Sequence, residues 1–145
     1  MAGFKNIVVA TDFSPVSDKA LVKAVELARQ LDAALHLVHI VQIHPVNMPE
    51  SGNVKIDELE AIEEKSANDN LAKYVESYGG GIEMTTHVLH GAPATQVNKM
   101  VEKLNADLIV MGTHGRTGLA HLIMGSVAES VLKKAEVPVM CVKTL

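Results

Sequence analysis

Five short apolar runs rich in β-branched residues alternate along this chain with four longer stretches of helical period. A strand buried on both faces reads as a continuous apolar run, and two parallel strands need a crossover of a dozen or so residues between them. The alternation therefore predicts an α/β fold on an open parallel sheet. The expected strands are residues 4–10, 35–41, 82–89, 108–111 and 137–142. The first helix, 15–31, places Leu21, Ala24, Val25, Ala28 and Leu31 at three- and four-residue steps, with Ser14 as N-cap and Pro15 as first helical residue. The second, about 55–78, has an apolar stripe among many charges that read as a solvated face, and Gly79-Gly80-Gly81 ends it. The third, about 93–104, again starts at a proline. The fourth runs from Ser126 to about Ala135, with Ser126 and Glu129 in the spacing of a capping box.

The 145 residues make about one domain, with no repeat or interdomain linker, so a single domain over 1–145 is expected. Apolar residues at 48% and charged residues at 21% set aside disordered and disulfide-scaffold classes. A net charge of -4 with no Trp, two Tyr and two Phe argues against partners bound through phosphate neutralisation or base stacking, so neither nucleic acid nor an anionic membrane is expected. Cys141 is the single cysteine and has no disulfide partner, and no leader pattern or apolar run of membrane-spanning length is visible. A cytoplasmic location follows as the expectation.

Two long loops remain. The segment Gln42 to Asn53 reads as a slack crossover. The segment from Thr113 to Met124 is different, since it follows an apolar strand, lies among Gly112, Gly115, Gly118 and Gly125, and enters a helix at Ser126. A helix start leaves N–H groups unpaired and carries partial positive charge, so a glycine-lined entry suits a phosphate, with Thr117, Ser126 and Arg116 as helpers. The same glycines and serine would also serve a loop of several turns and a helix cap. No Gly-Lys precedes Ser or Thr, which excludes a P-loop, and the first strand runs into Thr11-Asp12-Phe13-Ser14 without the glycines of a dinucleotide fingerprint. In an open sheet of order 3-2-1-4-5, Asp12 and Gly112 leave neighbouring strands and line one crevice. Asp12 there could accept a ribose hydroxyl, or simply form an Asx turn or help cap the first helix.

The spacing Gly112-x-x-Gly115, nine residues, then Gly125-Ser126 resembles the ATP-binding motif of the universal stress protein family. The stretches Val9–Ser14 and Val110–Arg116 are similar to the family's opening and loop patterns, and the similarity covers essentially the whole chain. The resemblance implies a Rossmann-like five-stranded sheet with helices on both faces, a homodimer, and an ATP site using the loop after strand four, and Mg enters only as a companion to ATP in a hydrolase alternative. It implies that Ala10, Thr11 and Asp12 hold adenine and ribose, that Ile40 meets adenine through its backbone, and that Gly112, Gly115, Arg116, Gly125, Ser126 and Val127 surround the phosphates. Met111 and His114 join the candidate site by lying beside and within the loop.

His36 and His39, like His87 and His90, stand three apart on expected strands, which puts each pair on opposite faces and prevents a shared metal shell. Cys141, in an apolar strand, reads as a buried inert thiol. The loop predicts binding while an obvious general base or metal cluster is missing, which favours a regulatory or stress-response module that binds adenine nucleotide. The alternatives are a slow Mg-dependent ATP hydrolase using His114 or Asp12, and a nucleotide-free protein–protein adaptor. The last strand, Val137 to Val142, tolerates Pro138 only at a sheet edge, and an uncovered apolar edge points to pairing with a second copy.

Overall fold

The computed structural model describes residues 3–42, 56–114 and 124–143. In chain order the elements are β1 (Asn6–Ala10), α1 (Pro15–Leu31), β2 (Ala34–Val41), α2 (Ile56–Tyr78), β3 (Met84–His90), α3 (Pro93–Leu104), β4 (Leu108–Gly112), α4 (Ser126–Lys134) and β5 (Val139–Val142). The strands form one parallel sheet in the order β3-β2-β1-β4-β5, with Ile7 opposite both Leu35 and Leu108, and Val110 opposite Met140. The order expected from the sequence is the order found.

Alternating side chains feed two apolar layers. Ile7, Val9, Leu35 and Leu37 face α1 and α2, where Leu21, Ala24, Ala28 and Leu71 are fully or almost fully buried. Val8, Val38 and Ile109 face α3 and α4 through Val97, Met100 and Val131. Each fully buried aliphatic side chain of this size contributes about 1.5–3 kcal/mol, so the central strands anchor the sheet. The helix signals behave as their chemistry requires. The Oγ of Ser14 accepts from the Ser17 amide at 3.2 Å, and Asp32 and Asn105 end α1 and α3 in the left-handed conformation that such short polar residues tolerate.

Strand ends differ from the expectation where another bond wins. β1 starts at Asn6 because the amides of Lys5 and Asn6 donate to the Asp107 carboxylate, at 2.9 and 3.2 Å. β3 starts at Met84 rather than residue 82, since the Ile82 amide turns back to the Gly79 carbonyl at 3.3 Å. β5 starts at Val139 because Pro138 has no amide to donate, although its carbonyl still accepts from Ile109 at 3.0 Å. No helix among the described residues is long and apolar enough to cross a membrane.

Candidate functional site

A cleft of about 490 Å³ opens at the carboxyl ends of β1, β2 and β4, where the strand order reverses, and the start of α4 forms one wall. That volume lies within the range of small-ligand sites, and the position is where open parallel sheets bind ligands. Ala10, Thr11, Asp12, Ile40, Met111, Gly112, His114, Gly125, Ser126 and Val127 all line it. Gly115 and Arg116, with Thr117 and Gly118, lie outside the described residues, as do residues 43–53 of the first long loop.

β1 delivers a self-bonded turn. Thr11 is buried, its amide donates to the Val38 carbonyl at 2.9 Å, and its Oγ1 accepts from the Phe13 amide at 3.0 Å while pairing with the Ser17 hydroxyl at 3.1 Å. The Thr11 hydroxyl is thus engaged within the turn. Asp12 Oδ1 accepts from the Ser14 amide at 3.0 Å, so the Asx turn considered from the sequence is formed, and the residue lines the cleft as well.

β4 delivers the other side. Met111 is only 4% exposed and mostly fills the core, with little surface to offer a ligand. The Thr113 amide donates to the Val142 carbonyl at 3.1 Å, and its own carbonyl accepts from the Gly125 amide at 2.6 Å. Residues 113 and 125 are therefore pinned together, which fixes the start of α4 against the end of β4.

The expected capping box is not formed. Ser126 is the first helical residue, and the N-cap is Gly125, in ordinary extended geometry (φ -73°, ψ 164°) with no side-chain cap bond. A serine inside the first turn cannot bridge to the N3 amide as a cap does. The two helix starts at the cleft differ accordingly: α1 is satisfied by its own Ser14, whereas α4 presents first-turn amides at Ser126, Val127 and Ala128, which all line the cleft.

Among the cleft residues that sequence reasoning missed, three carry polar side chains of note. Glu63 stands on the charged face of α2 that read as merely solvated, yet it lines the cleft, and so does the buried Thr113. His39 also lines it, with Nδ1 donating to the Thr11 carbonyl at 2.8 Å and its ring against Phe13 at 4.4 Å. A histidine at the carboxyl end of an expected central strand was the available signal for that one.

His36 and His39 do point to opposite faces, but pairing across strands brings His36 and His87 to 5.7 Å between ring centroids. Asn6 Oδ1 accepts from His36 Nε2 at 3.3 Å, so His36 Nδ1 accepts from the Thr85 hydroxyl at 2.7 Å, and that hydroxyl accepts from His87 Nε2 at 3.2 Å. Desolvation lowers the pKa of His36 against an opposing pull from Glu83. His87 is lowered by desolvation, by the like charge it would meet when His36 is protonated, and by Lys103. Cys141 is half-buried rather than buried, and desolvation raises its pKa, which holds it as a thiol.

The sequence profile of the universal stress protein family matches residues 3–143. Universal stress protein MJ0531 of Methanocaldococcus jannaschii is 40% identical over 142 residues, covering 97% of this chain and 82% of the relative. The solved structure of MJ0577 superposes with a TM-score of 0.86 at 26% identity, covering 98% of this chain and 97% of that one. The universal stress protein from Archaeoglobus fulgidus in complex with dAMP superposes at 0.65 with 26% identity, covering 99% of this chain and all (100%) of that one. With the profile spanning nearly the whole sequence and a relative 40% identical across 97% of it, the chain belongs to the universal stress protein family.

Proposed function

We propose that this protein binds an adenine nucleotide, ATP, in the cleft and acts as a cytoplasmic regulatory or stress-response module. The observation that carries the reading is the meeting, in one cleft, of a helix start without a side-chain cap and the acid-bearing turn after β1. The first amides of α4 suit the phosphates, while Asp12 and the backbone of Ala10, Thr11 and Ile40 suit ribose and adenine. Gly112, Gly125, Ser126 and Val127 take the phosphate end in this reading, joined by Gly115 and Arg116 from outside the described residues. The Asp12 carboxylate and the Ser126 hydroxyl are oxygen donors of the kind Mg²⁺ takes beside a triphosphate. The complex of the Archaeoglobus fulgidus relative with dAMP supports the ligand class.

The same reading makes the protein a homodimer through β5, an edge strand whose four residues are each half-buried. Mass spectrometry of nucleotide carried through purification, followed by titration calorimetry with ATP and Mg²⁺, tests the proposal. Intact bound ATP is the expected result. Accumulation of ADP over hours would favour the hydrolase, and an empty protein that ATP fails to titrate would leave the adaptor.

A further inference from the structure

Phe13 has φ 65°, in the left-handed region that a bulky residue rarely adopts. The other two such non-glycine residues among those described, Asp32 and Asn105, are helix C-caps of tolerant type. The turn around Phe13 is held by the Thr11 hydroxyl, the Asp12 carboxylate and the Ser14 and Ser17 hydroxyls. Those bonds would close equally well around a glycine, which takes this conformation without strain. They account for the turn and leave the ring unexplained.

The contacts of the ring explain it. Its centroid lies 4.4 Å from that of His39 and 5.9 Å from that of Tyr74, and Tyr74 continues to Tyr78 at 6.4 Å. The sequence holds only two Phe, two Tyr and no Trp, so three of its four aromatic residues stand in one row that ends on a histidine of the cleft wall. Within the row the Tyr74 hydroxyl donates to the Asp18 carboxylate, tying α2 to α1. The Thr11 carbonyl can only accept, so His39 carries its hydrogen on Nδ1. The edge bond sets the tautomer, and with the Phe13 face contact it helps hold the plane of this imidazole.

We propose that Phe13 is a positioning residue for the base end of the nucleotide site. It holds His39 as a preset wall beside Thr11 and Asp12, so that a planar base meets a surface already ordered. The inference rests on the nucleotide reading above. Strain retained where a glycine would relieve it is the mark of a residue kept for its side chain.

Phe13→Ala and Phe13→Gly, studied by ATP calorimetry, thermal melting and ¹⁵N spectra of labelled histidine, test it. Both variants are expected to bind ATP roughly three- to tenfold more weakly, the worth of one aromatic pair. Phe13→Gly should melt above Phe13→Ala, because only glycine relieves the backbone. Freed of the Phe13 face, the His39 ring should swing off the Thr11 carbonyl and pass from a single Nδ1–H tautomer to a mixture in both. ATP affinity unchanged in either variant, or lost in Phe13→Ala and restored in Phe13→Gly, would overturn the proposal. If the unmodified protein binds no ATP, the nucleotide reading fails by itself, and the histidine spectra still decide the role of Phe13: a mixed tautomer in the variants upholds it, an unchanged one overturns it.

Discussion

Gly112, at the end of β4, lies so close to Val16 of α1 that a Cβ added to the glycine would stand 2.5 Å from the valine Cγ1 and 3.3 Å from its backbone. The glycine reads in the sequence as part of a phosphate loop, and it has this second reason to lack a side chain. Sheet and helix approach each other here at the floor of the cleft, so the packing that builds the fold also sets the shape of the site.

Gly112→Ala should therefore destabilise the protein by about 1–3 kcal/mol, the usual range for overpacking a filled site. Val16→Ala in the same chain removes the nearest clash and should recover part of the loss. Urea unfolding of the two single variants and the double variant measures this. Additive effects would mean that the two residues do not oppose each other.

Gly125→Asp separates folding from binding. Aspartate is at least as good an N-cap as glycine, so stability should hold or rise by a few tenths of a kcal/mol. Its carboxylate would occupy the α4 start in place of phosphate, and ATP affinity should fall by roughly a hundredfold through repulsion and lost amide bonds. Calorimetry on the folded variant decides, and unchanged affinity would remove the start of α4 from the site.

Stability should fall on acidification. His36 and His87 are both held below the ordinary value of 6.5, so the unfolded chain binds protons first as the pH drops through that value. Their contribution is complete above 6.5 and is lost as the pH falls toward their lowered folded values. Melting temperature should decline between about pH 7 and pH 5.5, and His87→Gln should flatten that decline. An identical pH profile in the variant would show that the pair is not its source.

The proposed β5 pairing makes a prediction that depends on strand parity. The carbonyls of Pro138 and Val142 bond to β4, so the backbone groups of Val139 and Cys141 point outward from the sheet. Cys141→Pro removes an outward amide and spares the β4 ladder, and it should shift a dimer to monomer in sedimentation at micromolar concentration. Met140→Pro strikes the inward ladder and should lower stability instead. A dimer unaffected by Cys141→Pro would place the interface elsewhere.

What the sequence by itself determined is whatever short-range chemistry decides. The apolar runs around Val8, Leu37 and Val110 could only be buried strands. Proline at 15 and 93 fixed two helix starts, and the spacing from Gly112 to Gly125-Ser126 marked the cleft and the family. Tertiary structure alone decided what depends on residues far apart in the chain. Register across β2 and β3 brought His36 to His87, although spacing along each strand had separated the histidines. The bond between Thr113 and Gly125 displaced the cap from Ser126 by one residue, because the incoming chain is held by β4 before the helix begins. The crossing of α2 over the sheet placed Glu63 in the cleft and Tyr74 against Phe13, and nothing local to those residues specifies either neighbour. Periodicity records which face of an element is buried, while the partner on that face is chosen only when the layers close and their side chains compete for the same space.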